Sequence, residues 1–288
     1  MSDLIKRSYG PSAPYRQLQV LLDDGCHINV HVLREATSES FAPVAFIHAL
    51  AMDGRMWHGV VDALNHTDGA LHGAMYALDC RGHGASGTSD GPFTTEQFAQ
   101  DIAAVLDALD AARAHIVGCS MGGTVALEFA GRFPKRVVSL TVIDSTAWYG
   151  PIGPENWEKR AQTALADGME SLVDFQLARW FSTPFLEENS ELVRESVAVF
   201  TANRVAAYVN SCRMLGNADE RSAMTAYTGS VAVVVGEEDY ATPIDMAKDI
   251  AARLPGATLS VIPGTRHYTP LEAPKLVAAC IAEVAIRA

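Results

Sequence analysis

The chain has 288 residues, 49% hydrophobic and 19% charged, with a formal net charge of -12; that is enough for one large core carrying an insertion. The acidic balance lacks the basic excess of a phosphate-binding surface, so nucleic acid is not an expected partner. No apolar run is long enough to span a bilayer, and "MSDLIKRSYG" has no basic-apolar-small leader, so the expectation is a cytoplasmic protein without a membrane partner.

The first elements read as a hairpin: "YRQLQVLL" and "HINVHVL" both alternate, and "DDGC" supplies the turn. A short strand "VAFIH" follows, then a helix around "RMWHGVVDALN", a strand "GAMYALD" and a Gly-rich loop "CRGHGASG". The helix "TTEQFAQDIAAVLDALD" has Thr94 or Thr95 as its cap. "AHIVGCS" and "VVSLTVID" are continuous apolar runs of the kind buried on both faces of a parallel sheet, with a helix from Met121 to Phe133 between them. Residues 155 to 226 hold helical stretches and no convincing strand. Strand and helix then alternate again through "SVAVVVGEEDYATP", "IDMAKDIAARL" and "ATLSVIPG", ending in one helix "LEAPKLVAACIAEVAIRA". The expected fold is α/β, a mostly parallel central sheet covered by helices on both faces. Residues 1–148 and 227–288 would form its core domain, and 149–226 an inserted helical cap after the sixth strand.

The five cysteines are scattered, odd in number and without a C-x-x-C pair, which argues against a disulfide framework or zinc site. Chemistry is concentrated instead at Gly118-Cys119-Ser120-Met121-Gly122, a G-x-S-x-G motif between a strand and a helix. There a tight, strained turn projects the serine into a cleft above the sheet. Serine is a weak nucleophile until a base takes its proton and an acid orients the base. After such an elbow the acid and then the histidine follow in chain order. His267 is the only histidine after Ser120. Asp239, closing a strand in "VVVGEEDYATP", is the preferred acid, and Asp144 at the end of "TVID" is the alternative. Backbone N–H groups of Met121 and of Leu50, in "FIHALAMDGRMW", are the expected oxyanion donors. No P-loop, dinucleotide fingerprint or metal cluster competes with this, so neither cofactor nor metal is expected.

These residues resemble the α/β-hydrolase superfamily over nearly the whole chain. The match runs through "HALAMDGRMW", "LDCRGHGASG", "GCSMGG", "GEEDYATP" and "PGTRHYTPLEAP" in that order. Within it the chain is most similar to the 3-oxoadipate enol-lactonase group, through "RMW", "RGHGAS", "GCSMGG" and "ALADGMESLVDFQLARWFSTPF". Ala49 replaces the usual glycine after His48, and Arg266 stands before His267 where a small residue is common. The resemblance implies a structural role for Asp79, Arg81 and His83, and a cap that selects the substrate.

Trp148, Trp180 and Tyr208 are the preferred aromatic contacts, with Tyr149, Trp157 and Phe181 as further candidates. Arg179, Arg213 and Arg266, and after them Arg160 and Arg204, are candidates to hold a substrate carboxylate of the kind an enol-lactone acid carries. The expected activity is hydrolysis of a small carboxylic ester or lactone through an acyl-enzyme on Ser120. The alternatives are carbon–carbon or amide hydrolysis by the same residues, or a non-catalytic receptor on the same scaffold. The expected partner is a small-molecule substrate; a homo-oligomer stays open.

Overall fold

A computed structural model describes residues 15–36, 41–67 and 71–288; the leader reading of "MSDLIKRSYG" lies outside them. The chain opens with strands β1 (Arg16–Leu21) and β2 (His27–Arg34), paired antiparallel with Arg16 opposite Val32. Their turn takes the left-handed conformation at Gly25, φ 81°, and is closed by a 2.8 Å bond from the Leu22 N–H to the Cys26 carbonyl. Strand β3 (Val44–Ile47) is wholly buried. The helix expected from Arg55 starts one turn differently. Residues Gly54–Trp57 form a 3-10 turn capped by Asp53, whose side chain accepts the Arg55 N–H, and only then does α1 (His58–Asn65) begin.

Strand β4 (Met75–Leu78), helix α2 (Thr95–Ala108), strand β5 (Ala114–Cys119), helix α3 (Met121–Arg132) and strand β6 (Val137–Ile143) follow. Thr94 is the cap of α2, its hydroxyl oxygen accepting the Gln97 N–H at 3.1 Å. Five helices come next: α4 (Gly153–Asp167), α5 (Val173–Trp180), α6 (Thr183–Glu188), α7 (Ser190–Thr201) and α8 (Val205–Asn217). The core resumes with β7 (Ser230–Gly236), α9 (Ile244–Arg253), β8 (Thr258–Ile262), α10 (Thr269–Glu272) and α11 (Pro274–Ile286). The final helix is therefore two. Ala273 leaves the helical region at φ -134°, ψ 55°, as a residue before proline tends to, and Pro274 has no N–H to continue the ladder.

The strands form one eight-stranded sheet in the order β1-β2-β4-β3-β5-β6-β7-β8. From β4 to β8 all neighbours are parallel, so the chain leaves each of these strands at the same edge. Helix α1 packs with α10 and α11, and α2 with α3. Helices α4 and α8 pack together, with Gly216 giving room for Trp157 and Pro154. The two ends of this helical segment meet at a neck, where Trp148 bridges Asp219 and the Glu220 N–H donates to the Ala147 carbonyl at 2.8 Å. No helix among the described residues is long and apolar enough to cross a membrane.

Candidate active site

The carboxyl ends of parallel strands gather the loops at which α/β ligand sites form. Ser120 stands between β5 and α3 at φ 53°, ψ -117°, a conformation that costs a non-glycine residue energy and has to be held by its surroundings. Its N–H and its carbonyl are both tied down, the carbonyl also accepting the Thr124 N–H at 3.1 Å. The Ser120 N–H donates to the Ile143 carbonyl at 2.8 Å. Its carbonyl accepts from the Gly123 N–H at 2.9 Å and from the Ser145 hydroxyl at 2.7 Å. The flanking glycines are required by close approach: a Cβ on Gly118 would run into the Gly122 carbonyl, and one on Gly122 into the Ile47 carbonyl.

His267, in the loop after β8, places Nε2 2.8 Å from Ser120 Oγ and Nδ1 2.8 Å from Asp239 Oδ2. Asp239 also accepts the Ala241 and Thr242 N–H groups at 2.7 and 2.9 Å and the Thr242 hydroxyl at 2.8 Å. Burial pushes its carboxyl up, but the His267 charge and hydrogen bond, together with the Thr242 donors, outweigh this and hold it below the ordinary range. Asp144 is occupied elsewhere. It accepts the Gly236 N–H at 2.9 Å and the Thr269 N–H and hydroxyl at 3.0 and 2.7 Å, tying β6 to β7 and α10. Burial and the neighbouring Asp239 charge push Asp144 upward. The two carboxyls are thus pushed in opposite directions, and the one held low is the one on His267.

The N–H groups of Leu50 and Met121 meet no acceptor among the described residues; Met121 is the first residue of α3, where helical N–H groups are left over. The loop carrying Leu50 is pinned through His48. The Cys80 N–H donates to His48 Nε2 at 2.9 Å, so Nδ1 carries the ring proton and donates to the Ala49 carbonyl at 2.7 Å. Burial lowers the His48 pKa, in keeping with that neutral ring.

The Gly-rich loop after β4 acts as a brace. Asp79 accepts from Asn29, from His31 and from the Gly54 and Ala85 N–H groups. Arg81 grips both carboxylate oxygens of Asp101 at 2.7 and 2.6 Å, and His83 Nδ1 donates to the Arg81 carbonyl at 3.0 Å.

Ser120, His267 and Leu50 line a cavity of about 220 Å³ beneath α4 and α5, smaller than the roughly 300–1,000 Å³ of sites for drug-sized ligands. Of the expected substrate contacts it holds Trp180, Arg179, Tyr149, Trp157 and Arg160. Trp148 lies at the neck under the Arg221 guanidinium, 3.7 Å away. Tyr208 is buried behind the wall, near Gln176, whose amide reaches its hydroxyl at 3.4 Å. Phe181 and Arg204 also lie off the lining, the latter donating to the Ser86 carbonyl at 3.1 Å.

Arg213 faces outward in a two-bond pair with Glu158, both at 2.8 Å. Arg266 turns back onto α5, donating to the Ala178 and Phe181 carbonyls at 2.9 and 3.0 Å. The cavity also has polar lining that the motifs do not reveal, in Asn156 and Gln176, together with Met246 and Tyr268. Gln176 carried one usable signal, since it stands four residues before Trp180 on the same helix face. A separate cavity of about 550 Å³ beside His31, Asp53 and Arg204 contains none of Ser120, Asp239 and His267.

A family model described as the alpha/beta hydrolase fold matches residues 42–274. Among curated relatives, 3-oxoadipate enol-lactonase 2 of Acinetobacter baylyi is 29% identical over 201 residues, 70% of this chain and 74% of that protein. 3-oxoadipate enol-lactonase 1 of the same organism is 28% identical over 239 residues, 82% and 86% of the two chains. Among solved structures, the enol-lactonase from Burkholderia xenovorans superposes with a TM-score of 0.85 at 26% identity, covering 93% of this chain and 99% of that one. A hydrolase from Pseudomonas aeruginosa gives 0.84 at 26% identity, covering 93% and 98%.

Proposed function

The chain belongs to the alpha/beta hydrolase fold family, and from that premise we propose that it is a serine hydrolase of small carboxylic esters or lactones, enol-lactones among them. Ser120 Oγ attacks the carbonyl carbon while His267 Nε2 takes its proton; Asp239 holds the ring by Nδ1 and stabilises the imidazolium. The N–H groups of Leu50 and Met121 receive the oxyanion, a contribution of about 2.7–4 kcal/mol per donor to the barrier in comparable sites. The carbon–oxygen bond then breaks, and His267 returns the proton to the leaving alcohol or enol. In a lactone that group stays attached to the acyl-enzyme. Water, deprotonated by His267, attacks the acyl carbon, and Ser120 leaves with the proton. The helices between β6 and β7 act as the cap over this reaction.

The observation that carries the reading is the pair of 2.8 Å contacts joining Ser120 Oγ, His267 and Asp239, in residues 147 and 28 apart along the chain. Its extension to lactones is supported by the two Acinetobacter relatives and by the small cavity volume. Turnover of p-nitrophenyl acetate by Ser120→Ala is expected to fall by a factor on the order of 10⁴ or more; turnover comparable with wild type would overturn the assignment. A panel of lactones, aryl esters, amides and vinylogous diketones then separates ester chemistry from the carbon–carbon and amide alternatives.

A further inference from the structure

We propose that Asn203, between α7 and α8, is a positioning residue for the oxyanion donor of Leu50, through which the helical segment between β6 and β7 is linked to the chemistry at Ser120. The inference rests on the hydrolase reading of that cavity. Ala51, next to Leu50, stands at φ 59°, in the left-handed region that residues other than glycine rarely adopt. It is the third residue of a tight turn, Ala49 to Met52, closed by the Met52 N–H donating to the Ala49 carbonyl at 3.1 Å. Glycine or asparagine usually takes a positive φ at that place in a turn. Alanine has no polar group with which to hold it, so its surroundings must.

The holding group comes from 152 residues away, where Asn203 Nδ2 donates to the Ala51 carbonyl at 2.8 Å. The same nitrogen lies 2.9 and 3.1 Å from the Val199 and Phe200 carbonyls, in the last turn of α7, where helix carbonyls lack internal partners. All three neighbours are acceptors, so the amide nitrogen and not its oxygen faces them. The side chain is thereby fixed to the end of α7 on one side and to the turn on the other. Ala51 and Met52 are fully buried, so turning the Ala51 carbonyl away from Asn203 would leave a buried acceptor unmet.

The bond bears on Leu50 through planar peptide units. The peptide joining Ala51 to Met52 is held at both ends, its carbonyl by Asn203 and its N–H by the Ala49 carbonyl. That Ala49 carbonyl shares a rigid plane with the Leu50 N–H, and it also accepts the His48 ring N–H at 2.7 Å. Two pinned planes therefore set the direction in which the Leu50 N–H points. A donor left to wander must reorganise as the oxyanion forms, the cost that preorganisation avoids. Arg204, the next residue, makes a separate tether, to the Ser86 carbonyl of the Gly-rich loop at 3.1 Å.

The test measures p-nitrophenyl acetate hydrolysis and amide exchange at Met52 in the intact chain. Asn203→Ala and the isosteric Asn203→Asp, which has no N–H to give, are each expected to lower kcat about 10- to 100-fold, with KM within about twofold of wild type. In the Ala51→Gly background the Asn203→Ala penalty should shrink to about threefold or less, because glycine takes a positive φ without being held. Exchange at Met52 should quicken about tenfold or more in Asn203→Ala and keep the wild-type rate in Arg204→Ala. A rise in KM with kcat unmoved, a penalty undiminished by Ala51→Gly, or equal quickening in Arg204→Ala overturns the assignment. So does unchanged Met52 exchange in Asn203→Ala, whatever the ester shows. If wild type hydrolyses no ester or lactone, quickened exchange confined to the Asn203 variants sustains the anchoring role, and the hydrolase reading fails alone.

Discussion

Ser120 holds its positive φ of 53° because glycine on either side lets the carbonyls of Gly122 and Ile47 come close enough to fix the turn. The quoted motif carried this information because small residues around a serine, between an apolar strand and a helix, leave few other conformations. The acid was less legible. Asp144 and Asp239 both follow a buried strand and both precede His267, so chain order admits either. Only their partners separate them, Asp144 on Gly236 and Thr269 and Asp239 on His267. Asp239→Asn is therefore expected to lower kcat by a factor on the order of 10⁴, with little change in melting temperature. Asp144→Asn loses acceptors that buried N–H and O–H groups need, so it should destabilise the fold by about 1–3 kcal/mol while the folded fraction stays active. A severe loss of kcat only in Asp144→Asn, with the melting temperature preserved, would reverse the assignment.

Between elements, the contact of most consequence joins the end of α5 to the His267 loop. The His267 and Tyr268 N–H groups donate to the Arg179 and Trp180 carbonyls. Glu272 accepts the Arg266 N–H on one oxygen and the Ser182 N–H and hydroxyl on the other. The Arg266 guanidinium adds two bonds to carbonyls that the end of a helix leaves unmet. Arg266 thus acts as a clamp between the helical segment and the His267 loop, a use that its position beside a histidine does not disclose. Arg266→Ala is expected to reduce kcat/KM about tenfold for charged and neutral esters alike, and Arg266→Lys to restore little because the shorter lysine side chain does not carry its ammonium to the place from which Nη1 reaches both carbonyls. A change confined to charged esters would instead place Arg266 on the substrate.

For the molecule as a whole, the neck of the helical segment carries a buried carboxyl with a pH signature. Burial, with a hydrogen bond to and the charge of Glu128, pushes Glu220 up from 4.5 to about 8. Between those values the folded chain holds a proton that the unfolded chain releases, so stability falls as pH rises through the window and levels off above it. Glu220→Gln should flatten this slope, raising the melting temperature at pH 8 by about 2–4 °C and changing it little at pH 5. A slope identical to wild type would remove Glu220 from the neck's energetics. The strands, most helix positions, and the order serine, acid, histidine were determined by the sequence, because hydrophobic runs, glycines and caps act over a few residues. Which of two aspartates lies on His267, and the division of the arginines into outward pair, clamp and cavity lining, were decided by the tertiary structure. Their partners lie 55 and 88 residues away, and a side chain's role follows from what packing brings within hydrogen-bond reach, a distance that spacing along the chain does not encode.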